Sequence, residues 1–410
     1  MLSAEDNDLL TRIEHAPMGR MLREYWTPAV RSARLEPGGA PVRVRLFGED
    51  FIAFRGTDGA VGFLAEVCPH RGASLALGRV EECEIRCIYH GWKFRADGQA
   101  VETPSEPPER AASLAARVRT TAAATYEAGG IVWVYLGERP QPPAFPGLPF
   151  VGLPDDHVRP LAAETSCNWL QAVEGTLDSS HVSILHQSWL DASKGNIAQA
   201  AADSSPRYEF DVQEYGVRFA AIRRVADGKA YVRVTEFVMP WTALIATGDE
   251  DCMAIIGTPI DDTRSRQWFI RWNSEHPLTE DTDTHAWYEP LTVAPDDFTE
   301  LLRGKKMWGQ DRKAMSAGHF SGIENLVLED VAIQESQGPI VDRTKERLGA
   351  SDLAVVRTRR LLLETLRAHT NGSSPRGADI GAALKASSGL AFTVNADVDW
   401  RAATEAEMGR

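Results

Sequence analysis

Cys68-Pro69-His70, then sixteen residues, then Cys87-Ile88-Tyr89-His90-Gly91-Trp92 is the stretch on which the reading of this chain turns. Each half offers one thiolate and one imidazole from a tight loop between strands, so four ligands can converge on one point. Three readings compete. The four side chains could be ordinary core residues. A structural zinc site also takes two Cys and two His, but its usual pairs are Cys with Cys and His with His at short spacing. A [2Fe–2S] centre with the Cys pair on one iron and the His pair on the other matches both the ligand types and the mixed order. That order favours the cluster. Imidazole in place of thiolate raises the cluster's potential, which suits a group that accepts electrons and passes them on. Cys83 lies between the halves but outside the pattern and reads as an unligated thiol.

Around this stretch the sequence is β-prone. Val42, Val44 and Phe47, then 51–54 and 61–63, are short apolar runs punctuated by Gly48, Gly56, Gly59 and Gly62, and 118–119 and 131–136 repeat the pattern. Residues 40–139 are therefore expected as a small all-β domain. Before it, 1–39 is expected as a helical segment packing on the catalytic domain, with Ser3 followed by Asp6 as a helix cap. After it, prolines 140, 142, 143, 146, 149 and 154 predict a linker over 140–154. Residues 155–410 read as a second, α+β domain. Helices are expected over 168–183, 295–307, 322–335 and 353–369, the last with Arg357, Arg359 and Arg360 facing solvent. Strands are expected over 208–219, 231–239, 252–260 and 267–272. The tail after Asn371 carries little signal.

Composition narrows the function. The chain has 410 residues, 43% hydrophobic, with 44 Lys plus Arg against 58 Asp plus Glu and a formal net charge of −14. That sign repels phosphate backbones, so nucleic acid is not an expected partner. No apolar run approaches the ~18 residues of a membrane span, and the acidic start MLSAEDNDLL is unlike a signal peptide, so a cytoplasmic location is expected. Five Cys at uneven spacing make a poor disulfide framework and read better as metal ligands or free thiols.

A second constellation lies at 168–186. On a helix, Asn168, Gln171, Glu174, Asp178 and His181 would share one face, with Trp169, Val173 and Leu177 on another. Such a polar stripe is ordinarily a solvated face. Here it ends in His181, with His186 five residues on, and two imidazoles suit iron when a carboxylate completes the set. The cluster would also be idle without a second redox site. Spacing alone does not find the carboxylate among 58 acids.

The segments CPHRGASL (68–75) and CIYHGWKF (87–94) resemble the Rieske domain of bacterial ring-hydroxylating oxygenases, in the phthalate dioxygenase-like branch. Residues 5–26, 42–59 and 334–352 resemble the same branch, so the likeness spans most of the chain. It implies an N-terminal Rieske β domain and an α+β catalytic domain of helix-grip form. It implies Cys68, His70, Cys87 and His90 as cluster ligands and His181, His186 and Asp330 as ligands of mononuclear Fe(II), with Glu329 as the rival to Asp330. It implies that Asp178 hydrogen-bonds a metal-bound His and bridges to a cluster His of the neighbouring subunit in a homotrimer. A separate NAD(P)H-dependent reductase with flavin and a ferredoxin-type cluster is the expected electron donor, since no nucleotide-binding fingerprint occurs here.

A substrate carboxylate would need a bidentate cationic donor. The resemblance points to Arg207 in SSPRYEF, and the apolar stretch 239–247 offers no second arginine, which favours a substituted or aryl-ether benzoate over a dicarboxylate. The expected activity is hydroxylation of an aromatic acid with O2. A Rieske monooxygenase or O-demethylase would use the same residues, and a pure electron-transfer protein would need only the first constellation.

Overall fold

The structure, a computed structural model, describes residues 2–409 except 191–195, 202, 248–250, 280–287, 293 and 295. It divides into two compact units. One is Arg23–Pro142; the other joins Met1–Leu22 to Pro143–Arg410.

The Arg23–Pro142 unit contains β1 (Thr27–Arg31), β2 (Val42–Leu46), β3 (Glu49–Arg55), β4 (Val61–Ala65), β5 (Arg79–Glu81), β6 (Glu84–Arg86), β7 (Lys93–Arg95), β8 (Ala100–Glu102), β9 (Ala124–Ala128) and β10 (Ile131–Tyr135), with one helix at Pro108–Ala115. They form three antiparallel sheets, in the orders β1-β10-β9, β2-β3-β4 and β5-β6-β7-β8. Residues 23–39, expected within the N-terminal helical segment, belong here instead, because β1 pairs along β10. The unit's two chain ends are tied together at Glu24, whose carboxylate accepts from Tyr135 Oη at 2.7 Å, Arg139 Nε at 2.7 Å and Glu138 N at 3.1 Å. Its border with the other unit falls inside the proline run, between Pro142 and Pro143.

The second unit is built on one antiparallel sheet. Its strands are β11 (Val158–Thr165), β12 (Arg207–Gln213), β13 (Gly216–Arg224), β14 (Lys229–Val238), β15 (Thr242–Ile245), β16 (Cys252–Pro259), β17 (Ser265–Trp272) and β18 (Leu390–Asn395), in the order β11-β17-β16-β15-β14-β13-β12. Along β14, Glu236–Val238 pair with β15 and Lys229–Val234 with β18. The expected strand 208–219 is thus a hairpin, β12 to β13, and the tail that carried little signal supplies β18 and a helix, Trp400–Met408.

Helix Trp169–Leu177, capped by the Asn168 side chain, lies on this sheet against β15, β16 and β17, with Trp169, Val173 and Leu177 buried. The helix expected to run to Ser183 stops at Leu177, because Asp178 is extended (φ −79°, ψ 103°); a single turn, His181–Ser183, comes next. Helix Leu326–Ser336, which starts four residues later than the expected 322–335 and ends one residue beyond it, packs beside it. Of the helix expected over 295–307, Pro295 lies outside the described residues and 296–305 holds no helix. Asp296 Oδ1 accepts from Phe298 N and Thr299 Oγ1, each at 3.0 Å, and this local bonding competes with helical bonding.

Helix Leu353–Thr370 carries another correction. Arg359 does not face solvent; it is buried and pairs with Glu174 at 2.6 Å and Glu346 at 2.5 Å. The N-terminal helices Ala4–Thr11 and Pro17–Leu22 pack on this same helix. Trp169 Nε1 donates to Leu10 O and Asn168 Nδ2 to Thr11 O, at 3.2 and 2.9 Å.

Candidate metal centres

The first centre is a pair of matched loops. Cys68 N donates to Ala73 O and Cys87 N to Trp92 O, each at 2.8 Å, while Gly72 N and Gly91 N return to the Cys68 and Cys87 carbonyls at 3.0 Å. Both turns need a left-handed residue at the fourth place after Cys, which Gly72 (φ 76°) and Gly91 (φ 77°) provide without steric cost. The loops bury both thiols and bring the His70 and His90 rings within 4.5 Å, centroid to centroid, with His70 stacked on Trp92 at 4.3 Å. Burial and the neighbouring Cys87 push the Cys68 thiol up to about 11. Two buried thiolates side by side are unfavourable until a cation compensates them, which is what a [2Fe–2S] cluster supplies. The donor set fits that group. Cys83 sits apart, in the turn between β5 and β6 beside Asp58.

The second centre joins two segments distant in sequence. The chain turns at Asp178 to present His181, and His186 stands at the head of the short helix Gln187–Leu190. Asp330 comes from helix Leu326–Ser336, whose start is capped by Asn325. Asp330 Oδ1 lies 3.4 Å from His181 Nε2 and 3.1 Å from His186 Nε2. One ligand atom from each of these three residues lies within 4.8 Å of the others.

The far nitrogen of each imidazole is also held by a carboxylate: His181 Nδ1 by Asp178 at 3.5 Å, His186 Nδ1 by Glu329 at 2.7 Å. Glu329 is fully buried and also accepts from Ser321 Oγ. Burial acts against the charge on Asp330, yet His186 and His181 hold it well below the usual carboxylate range. Burial lowers the His181 imidazolium, but Asp178 and Asp330 more than offset this and push it up to about 10. Two imidazoles and a carboxylate converging on one point, each imidazole oriented from behind, fit a mononuclear iron with open coordination positions, whose charge would take the place of the protons they otherwise hold. Glu329, expected only as a rival for Asp330, has a place of its own. Consecutive helical residues point about 100° apart, so one acid faces the ligand point and the other backs His186.

These residues line a cavity of about 80 Å³ between helices Trp169–Leu177 and Leu326–Ser336 and the sheet. Its wall is largely apolar, with Val182, Leu190, Ile245, Ile255, Phe269 and Leu326. Arg207 is not part of it. It starts strand β12, its side chain is 67% exposed, and it pairs with Glu209. Arg233 does line it, and sequence reasoning missed it because β14 is buried on nearly every residue, so no alternation marks the side chains facing inward. No helix among the described residues is long and apolar enough to cross a membrane.

Comparison with known proteins finds a family match for each part of the chain. Residues 25–126 match the Rieske [2Fe-2S] domain family, and residues 134–409 match the family described as LigXa C-terminal domain like. The chain is 41% identical to the phthalate 4,5-dioxygenase oxygenase subunit of Pseudomonas putida, over 98% of this chain and 94% of the relative. It is 36% identical to the 3-chlorobenzoate-3,4-dioxygenase oxygenase subunit of Comamonas testosteroni, over 99% and 98%. Among solved structures, the terminal oxygenase of carbazole 1,9a-dioxygenase from Nocardioides aromaticivorans IC177 shares the fold, with a TM-score of 0.61 at 19% identity over 86% of this chain and 97% of that one. A cluster domain followed by an iron domain, matched over nearly the whole length of such relatives, makes this chain a member of the Rieske non-heme iron oxygenases, an oxygenase α component of the phthalate dioxygenase-like branch.

Proposed function

We propose that Cys68, His70, Cys87 and His90 hold the [2Fe–2S] cluster, that His181, His186 and Asp330 hold the iron, and that the protein hydroxylates an aromatic carboxylate with O2. The convergence of His181, His186 and Asp330 at one end of an apolar cavity carries this reading. When bound, the iron supplies O2 activation beside the substrate, on electrons received from the cluster. The chain's own residues do the rest. Asp178 and Glu329 fix the ring orientation of the two histidines, and the apolar wall excludes water from a bound ring. Membership of the family supports a separate NAD(P)H-dependent flavin and ferredoxin-type reductase as donor. It also supports a homotrimer in which Asp178 connects His181 to a cluster histidine of the neighbouring subunit.

The reading is tested by single turnover. The purified, chemically reduced protein is mixed with ¹⁸O2 and a panel of benzoates, and the products are weighed. Two labelled oxygens in one product are expected and identify ring dioxygenation. One labelled oxygen, or released formaldehyde, moves the chemistry to a monooxygenase on the same metal sites. No labelled product from any aromatic acid overturns the reading.

The role of Glu329 is measurable separately. Glu329→Gln is expected to weaken iron binding by about 10- to 100-fold, read by competition with a chelator. Unchanged affinity would mean that packing alone orients His186.

A further inference from the structure

The cavity beside the iron triad is largely apolar, so each polar group on its wall has to be accounted for. Thr176 and Thr247 turn back on the main chain, donating to Ala172 O at 2.9 Å and Asp251 O at 2.5 Å. Two glutamines on the same wall do not. Gln267, on β17, donates from Nε2 to Gln334 Oε1 at 2.7 Å. Gln267 is 2% exposed and Gln334 5%, yet Gln334 Nε2 and Gln267 Oε1 have no partner among the described residues. The pair therefore keeps amide donors and a carbonyl acceptor unused on the wall of an apolar cavity.

The Gln334 carboxamide is held in place. Its oxygen is fixed by Gln267, and its main-chain carbonyl accepts from Gln171 Nε2 at 3.0 Å. Its nitrogen lies over Gly175 of helix Trp169–Leu177, where an added Cβ would come within 2.7 Å of it. The glycine thus leaves the space that the amide fills. Along helix Leu326–Ser336, Gln334 follows Asp330 by four residues, on the same face and about 6 Å further along the axis. The free amide therefore belongs to the end of the cavity where His181, His186 and Asp330 converge.

We propose that Gln334 determines specificity at this cavity, selecting aromatic acids that carry a hydroxyl or ether oxygen on the ring. A buried amide N–H without a partner is unfavourable, and a ring oxygen supplies the missing acceptor. A neutral amide matches a neutral oxygen, whereas a second carboxylate would call for a second charged donor. Gln267 acts by holding the Gln334 oxygen, which turns the Gln334 nitrogen toward the substrate. The inference rests on the aromatic-acid reading above and narrows it to oxygen-substituted rings.

The test is calorimetric binding of size-matched pairs to the holoenzyme. The pairs are 3- and 4-hydroxybenzoate against the corresponding methylbenzoates, and 3- and 4-methoxybenzoate against the ethylbenzoates. The wild-type protein is expected to bind the oxygen-bearing member more tightly in at least one pair. In Gln334→Met, which keeps the length without the amide, that ratio should move by about 10-fold toward the hydrocarbon member, with iron content and cluster absorbance unchanged. Gly175→Ala displaces the amide from the neighbouring helix and should move the ratio the same way; it carries the test if the methionine variant does not fold. A shift in a hydroxy pair identifies a hydroxyl and one in a methoxy pair an ether, and either supports the assignment. Unchanged ratios in a folded variant, or a wild-type protein that prefers the hydrocarbon member throughout, overturn it while leaving the aromatic-acid reading intact. A protein that binds none of these acids overturns both.

Discussion

His186→Ala is expected to purify without mononuclear iron and to lose turnover by about 10³-fold or more, while keeping the absorbance of its [2Fe–2S] cluster. The two metal centres draw on different compact units, so one can be emptied without the other. The variant has a second expected property. His186 is almost fully buried, and its Nδ1 is the ion-pair partner of the fully buried Glu329. Removing the ring leaves that carboxylate with Ser321 as its side-chain partner among the described residues, and an uncompensated buried charge costs roughly 3–5 kcal/mol of stability. His181→Ala separates the two effects. His181 is more exposed and its rear partner Asp178 is itself partly solvated, so iron and turnover should vanish at little cost in stability. Metal analysis, visible absorbance and chemical denaturation of both variants check this. Retained turnover in either variant would sink the assignment of the triad.

Asp178→Asn should behave in the opposite manner: both metals present, electron flow between them slowed by about 10²-fold. Asp178 accepts from Ser180 N at 2.7 Å, lies 3.5 Å from Tyr208 Oη and backs His181, contacts that an amide can largely reproduce. The substitution removes the negative charge. Burial alone would raise the pKa of Asp178, but His181 and local amides outweigh it and lower it, so the group is ionised at neutral pH. Rapid mixing of the reduced variant with O2 and an aromatic acid should show a slow cluster reoxidation at normal iron content. Reoxidation at the wild-type rate would contradict a coupling role.

The cluster centre is legible in the sequence because each half is local: four or five consecutive residues and one obligatory glycine make each loop, and no distant contact is needed to define it. His181 and His186 are legible for the same reason. The geometry between them is not. A helical face through Asp178 and His181 is a natural reading of the spacing, yet the helix ends at Leu177, and the two residues meet through a turn. Asp330 needs the family resemblance, because its partners are more than 140 residues away. Arg359 and Arg233 show a further limit. A buried arginine has no sequence signature of its own; only the groups around it in the folded chain show where it belongs. Arg207 is the converse, a residue chosen by analogy that folding places on an exposed edge. Strand β18 escapes a sequence reading because its pairing with β14 joins segments about 160 residues apart.

The stapling of Arg23–Pro142 at Glu24 has a consequence for how the chain comes off the ribosome. That unit is an insertion in another, whose residues 2–22 meet Asn168 and Trp169 but complete their packing only on helix Leu353–Thr370, with Asp6 and Arg367 in contact at 2.5 Å. At about 5–20 residues per second, the wait is on the order of tens of seconds. The inserted unit is complete as soon as Pro142 emerges, and its ends close on each other without help from the residues still to be made. Synthesis therefore runs inside-out: the unit 23–142 closes first, and the segment before it gains its partners in turn, at Asn168 and Trp169 and then on helix Leu353–Thr370.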